Sequence, residues 1–365
     1  MEQPYRNALP DYPVLAIDVG AGTQDILLHD PDVPPESCTK LVLPSQPAIV
    51  ARRTARATAE RRDVFLHGNL MGGGKSASAV KRHIRAGLRA YATELAAKTI
   101  SDNLDTVREL GVQIVEQAPT GAVPIETRDV DMNQIERLLR AFEVELPMRI
   151  AVAVQDHGHC PDSSNRKFRF AQWRRFVASG GELAGLAYKE APQHLTRMRA
   201  VQADVPGAVV MDTTSAAIVG CLEDSQVNDH ASGGLIIANV GNAHTCAVAL
   251  IEGRVRGIFE QHTRNITSAK LAGLVEKLAA GTITDSEVFD DGGHGAIVSD
   301  DVRARENGWF VAVTGPNRGI ARELGYYEAC PHGDMMLTGC YGLIRGYSLA
   351  WPDKSEKSSR GELFT

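Results

Sequence analysis

Two glycine-rich segments, Asp18-Val-Gly-Ala-Gly-Thr-Gln-Asp25 and Asn239-Val-Gly-Asn-Ala-His-Thr245, constrain the fold of this chain more than any other feature. Each follows an apolar run, Val14 to Ile17 in one case and Leu235 to Ala238 in the other, and each leads into a second strand-like run. Both therefore read as strand, tight turn, strand. A glycine turn lets the backbone approach a ligand closely and aims several N–H groups at one spot, which suits phosphate oxygens. Taken alone, either segment is an ordinary hairpin. Facing each other, the two would grip one polyphosphate from both sides.

A chain of 365 residues is long enough for two domains. Its hydrophobic share of 43%, with 23% charged residues, is that of an ordinary water-soluble globular protein, and the net charge of -6 argues against nucleic acid as the main partner. The opening residues carry no apolar signal-like run and no apolar stretch approaches a membrane span, so no membrane partner and a cytoplasmic location are expected. Six cysteines are scattered along the chain, which fits reduced thiols better than a disulfide framework or a zinc knuckle.

Strand-like and helix-like segments alternate from Tyr12 to about Asp224, the pattern of an α/β layer structure. An opening meander (14–17, 25–28, 40–43) is followed by short buried strands at 64–66, 112–115, 150–154 and 208–211. Helices are predicted at 79–90, 103–110, 132–142, 170–177 and 215–222. After the polar stretch 224–233 the programme restarts: strand, glycine hairpin, strand, a third strand at 254–259 and a helix at 268–279. Such a restart predicts two related domains, 12–228 with an inserted segment at about 45–120, and 232–334. A helix at 335–350 would pack back on the first domain, and 351–365 reads as a frayed tail.

With these segments in order, the chain resembles the actin, sugar-kinase and Hsp70 ATPase superfamily. Asp18 to Thr23 is similar to its first phosphate loop and Asn239 to Thr245 to its second. Ile150 to Gln155 resembles the core strand that ends at the nucleotide cleft, and Val210 to Gly220 the first connecting helix. Val311 to Arg318 resembles the adenosine loop, and Gly333 to Gly342 the second connecting helix. The resemblance implies two actin-like, ribonuclease H-like ATPase domains with a nucleotide cleft between them. At closer range, Met71-Gly-Gly-Gly74, Gln155-Asp-His-Gly158, Ser164-Asn-Arg166, Asp291-Gly-Gly-His-Gly295 and Pro331 to Gly339 resemble a bacterial and archaeal family whose members carry the label pyruvate formate-lyase-activating protein. Activating enzymes of that name use an iron-sulfur cluster held by a Cys-x3-Cys-x2-Cys run, and this sequence has none, so radical chemistry of that kind is not expected.

The superfamily resemblance implies ATP and Mg²⁺ as cofactors and roles for particular residues. Gly20, Gly22, Gly241 and Asn242 would give backbone donors to the phosphates, with hydroxyls from Thr23 and Thr245. Asp18 would hold the hydrated Mg²⁺; its plainer reading is a turn-initiating residue. Gly315, Asn317 and Arg318 would flank the base and Asp334 the ribose. Asp212 would orient the attacking water, or simply cap its helix. Asp156, beside Gln155 at a strand end, is the rival general base. The second loop departs from the superfamily pattern, because Asn239 stands where an Asp is usual. A neutral amide there puts strong hydrolysis in question more than binding.

A recurring His-Gly dipeptide, at His67, His157, His294 and His332, has no place in that scheme. His157, His294 and His332, with Asn165 and Arg166, would form a substrate pocket; convergence of His157, His159, His294 and His332 with Asp156, Asp291 and Asp334 would instead build a transition-metal site. The segment Val64 to Ser76 imitates a P-loop but misses its spacing, because Asn69 replaces the first glycine. It reads as a substrate or regulatory loop. The expected function is an ATP-binding, slowly hydrolysing protein whose domain closure acts on a partner enzyme or bound small molecule. Alternatives are a small-molecule kinase of the sugar-kinase type with Asp156 as base, and a metal-dependent enzyme without nucleotide.

Overall fold

Why two sheets form is visible in the strands themselves. The computed structural model describes residues 9–305 and 308–352. Its strands in chain order are β1 (Val14–Val19), β2 (Thr23–His29), β3 (Thr39–Pro44), β4 (Val64–His67), β5 (Ala90–Ala92), β6 (Val112–Ile114), β7 (Val123–Glu126) and β8 (Ile150–Val154). They continue with β9 (Ala187–Tyr188), β10 (Val209–Met211), β11 (Leu235–Val240), β12 (His244–Ile251), β13 (Arg254–His262), β14 (Gly295–Val298), β15 (Phe310–Thr314) and β16 (Tyr327–Glu328). The first sheet runs β3-β2-β1-β8-β10-β9 and the second β14-β13-β12-β11-β15-β16. In both, a meander of three antiparallel strands is extended by two parallel ones: β8 and β10 beside β1, β15 and β16 beside β11. This is the ribonuclease H-like order of an actin-like ATPase domain, made twice. Central strands covered on both faces read as continuous apolar runs, and β8 is Ile-Ala-Val-Ala-Val.

β1 and β11 are buried along their length except at their fifth residues, Asp18 and Asn239, which are half-buried. The two hairpins are thus equivalent positions of equivalent sheets. One core of buried residues joins both sheets through the helices Thr213–Cys221 and Thr338–Ala350. β4 to β7 form a separate parallel sheet, ordered β6-β5-β4-β7, with its own apolar cluster. Among the described residues, no helix is long and apolar enough to cross a membrane.

Several boundaries differ from the sequence expectation. The helix expected at 79–90 is Gly74–Arg85, and Ala90–Ala92 is a strand instead. Gly87 is the reason: its φ of +78° ends the helix in a left-handed turn. The strand expected to stop at Phe259 runs to His262, and the helix expected from Phe170 starts at Asn165. Helices Gln46–Ala59 and Thr196–Asp204 were not anticipated. Of the expected tail, residues 353–365 lie outside the described residues.

Candidate functional site

Both glycine hairpins line one cleft of about 400 Å³, together with Thr214, Gly315 and the loop Gly72 to Lys75. Their turns close in the same way. Gly20 N donates to Thr23 O at 2.8 Å, and Gly241 N donates to His244 O at 2.9 Å. This corrects the expected donor set, because the N–H groups of Gly20 and Gly241 hold the turns shut. The amides at the turn tips, Ala21 and Gly22 in one hairpin and Asn242 and Ala243 in the other, donate no such backbone bond. Gly315, at φ +94°, braces the second hairpin: a Cβ there would stand 2.6 Å from both Asn239 Oδ1 and Val240 O. Asn317 braces it too, donating from Nδ2 to Gly241 O at 3.0 Å.

Two cleft acids, Asp18 and Asp25, each bury a carboxylate oxygen without a hydrogen-bond partner, whereas Asp156 in the cleft and Asp212 behind it are engaged. Asp18 Oδ1 is buried without a hydrogen-bond partner. Burial, with the charges of Asp25 and Asp212, raises its pKa well above the usual carboxylate range. Burial likewise lifts Asp25 to about 7. An unpartnered, desolvated carboxyl at a phosphate-type turn fits a hydrated divalent cation. Asp212 is bound by both terminal nitrogens of Arg169, at 2.9 and 3.0 Å, and accepts from Thr214 N. Burial opposes its ionisation, but Arg169 wins and holds its pKa below the ordinary value. Asp156 accepts from the backbone N–H groups of Gly158, Arg197 and Met198 at 2.8 to 3.0 Å. Both side chains therefore organise the loops around them rather than stand free as bases.

Beside the second hairpin lies a cluster assembled from four places in the chain. His157 follows β8, His244 opens β12, Glu260 lies on β13 and His294 precedes β14. One ligand-type atom from each of the four lies within 4.8 Å of the others. Register explains half of it: His244 pairs directly with His262 across β12 and β13, and Glu260 points to the same face two residues earlier. Arg169 Nε donates to Glu260 Oε2 at 2.7 Å, and the Gln155 amide lies between His244 and Glu260 Oε1. Burial would raise the Glu260 pKa, yet Arg169 and the imidazoles bring it down to about 2. Burial pushes the imidazoles the other way, His294 to about 3 and His262 to about 4, and lowers His157 and His244 as well. At neutral pH the cluster is a carboxylate among uncharged imidazoles.

The family described as "Putative pyruvate format-lyase activating enzyme (DUF1786)" matches residues 71–320. The chain belongs to that family. No curated protein matches it. Among solved structures it is similar to the ethanolamine utilization protein EutJ from Carboxydothermus hydrogenoformans, at 13% identity and a TM-score of 0.31 over 93% of this chain and 91% of that one. It is also similar to a ROK family transcriptional regulator, a homolog of the E. coli MLC protein, at 10% identity and a TM-score of 0.34 over 94% and 80%. A third is the PilM-PilN type IV pilus biogenesis complex, at 11% identity and a TM-score of 0.33 over 93% and 98%. The strand order of the two sheets carries the fold by itself.

The remaining expected residues fall unevenly in this DUF1786 protein. Thr23, Gln155 and Asn165 line the cleft. Thr245 is buried behind its hairpin against Thr263. Arg318 pairs with Glu328 at 3.1 Å, and Asp334 caps Met336 N while facing Lys40 at 3.7 Å. Arg166 lies over the Phe289 ring and donates to Gly293 O. Of the histidines expected to converge, His157 and His294 do. His332 sits beside Glu223 and Tyr341, and His159 beside Asp102. The residues that complete the cluster, His244 and Glu260, were not singled out from the sequence. The signal was present, since His244 lies inside the second hairpin and Glu260-Gln-His262 alternates along a strand. The family description names an activating enzyme, but no Cys-x3-Cys-x2-Cys run occurs in the sequence.

Proposed function

We propose that this protein binds ATP with Mg²⁺ in the cleft between its two sheets and turns it over slowly, domain closure being passed on to a bound small molecule or partner enzyme. One observation carries the reading: two equivalent glycine hairpins, one from each sheet, line a single cleft with the unpartnered Asp18 carboxyl at its edge. Asp18 would hold the hydrated Mg²⁺, which neutralises phosphate charge and needs only one or two carboxylates from the protein. The turn-tip amides and Lys75 would meet the phosphates. Slow turnover is supported by Asn239, a neutral amide at the position equivalent to Asp18, and by the hydrogen bonds that occupy Asp212 and Asp156. The same bonds to Asp156 weigh against a kinase that uses it as a base.

Calorimetric titration with ATP and Mg²⁺ tests the binding. Saturable binding that disappears in Asp18→Ala, with slow phosphate release needing no added acceptor, is the expected result. Absence of ATP binding by the intact chain would sink the reading.

A further inference from the structure

We propose that His157, His244, His294 and Glu260 bind a divalent transition-metal ion of the zinc and iron class at the wall of the cleft, separate from the oxygen site at Asp18. Three imidazoles and a carboxylate suit such ions, whereas Mg²⁺ prefers an all-oxygen shell. The geometry is close to assembled. Donor atoms about 2.0 to 2.1 Å from a tetrahedral ion stand roughly 3.4 Å from one another. Here they all lie within 4.8 Å of one another. A contraction of at most about 1.4 Å brings the four donors to that spacing.

A second observation points to a missing partner. His294 is only 2% exposed, yet its Nδ1 makes no hydrogen bond and stands 3.9 Å from Glu260 Oε1. The imidazole nitrogen is left without a partner, while Glu260 Oε1 holds only a long 3.4 Å bond from the Gln155 amide, and a cation between them answers the one and engages the other. Arg169 fixes Glu260 through the other oxygen, Oε2, which is the kind of outer support that orients metal-ligating carboxylates. The arrangement also has a direction. His157 and His244 line the cleft, while His294 and Glu260 are buried behind them. An ion held by all four would have only its cleft side free to add an oxygen of water or of a bound ligand as a fifth ligand.

The test uses tag-free, full-length protein stripped with a chelator, then titrated with Zn²⁺ by calorimetry and with Co²⁺ by visible absorption. We expect one equivalent of either ion, a cobalt spectrum of low-symmetry nitrogen and oxygen coordination, and affinity reduced by more than about a hundredfold in His157→Ala and in His294→Ala. His332→Ala and His159→Ala, which lie elsewhere, should bind as the native chain does. Circular dichroism checks that each variant is folded, and the cobalt spectrum of the native protein reads the site even if a variant is not. No stoichiometric binding, or equal weakening by His332→Ala, would overturn the proposal. Because the readout is the metal itself, it stands or falls apart from ATP binding.

Discussion

Gly220 and Gly342 meet backbone to backbone where the helices Thr213–Cys221 and Thr338–Ala350 cross. A Cβ on Gly220 would run into Thr338 O, and one on Gly342 into Ala216 O. Neither obstacle is a flexible side-chain end. These helices join the two sheets, so the crossing ties the two halves of that core together. Gly342→Ala should therefore destabilise the protein by about 1 to 3 kcal/mol through overpacking, read as a lower urea midpoint. Gly87→Ala, in open space but at positive φ, isolates the backbone term alone and should cost about 1 kcal/mol.

Arg169 is the other structural keystone, a buried cation shared by Asp212 and Glu260. Replacing it with Met leaves two buried carboxylates without compensation, at a cost of about 3 to 5 kcal/mol. Asp212→Asn keeps a partner for the guanidinium and should cost less. Chemical denaturation of the single and double variants gives the coupling between them. Additive losses would show that the pair does not act as a unit.

How far the sequence reveals such features depends on whether their cause is local. The hairpins at Asp18 and Asn239 were legible because glycine spacing and flanking apolar runs are local signals, and so was the doubled α/β order. The helix Gln46–Ala59 was not, since Pro47 near its start and its run of arginines mask the buried stripe formed by Val50, Thr54 and Ala57. The metal-type cluster was half legible. His157 and His294 stood out by their dipeptides, but Glu260 joins them only through the β12–β13 register, and Arg169 only through tertiary packing. Where a side chain's partner is set by strand pairing across the fold, spacing along the chain does not name it.

Asp25 gives the protein a pH dependence whose sign is fixed. Its carboxyl titrates near 7 when folded, against an ordinary 3.8. The folded state therefore holds the proton more tightly than the unfolded state. That contribution to stability is complete below about pH 4 and is lost as pH rises through about 7, on the order of 4 kcal/mol. Asp18 is shifted in the same direction and adds to the slope. In a chelating buffer the urea midpoint should fall from pH 5 towards pH 8, and Asp25→Asn should flatten the fall. A native midpoint that rises over that interval would contradict the burial argument.

Lys75 lines the cleft and, in the proposed reading, is the cation that meets phosphate charge. The loop Gly72 to Lys75 lines the cleft as the helix Gly74–Arg85 begins, and Lys75 Nζ would lie 3.4 Å from a Cβ on Gly22, in the first hairpin. The other charged groups near it are placed differently: Lys98 pairs with Glu94 at 3.2 Å, and Arg197 is held by Asp129 and Gln155 O. Lys75→Met should weaken binding of ATP about ten- to a hundredfold, equivalent to about 1.4 to 2.7 kcal/mol. Adenosine, which carries no phosphate, should bind both proteins alike. Because the lost contact is ionic and reached from solvent, the native affinity should fall more steeply with added salt than that of the variant. Titrations of both ligands at two salt concentrations separate this from a general loosening of the cleft, which would weaken adenosine as much as ATP.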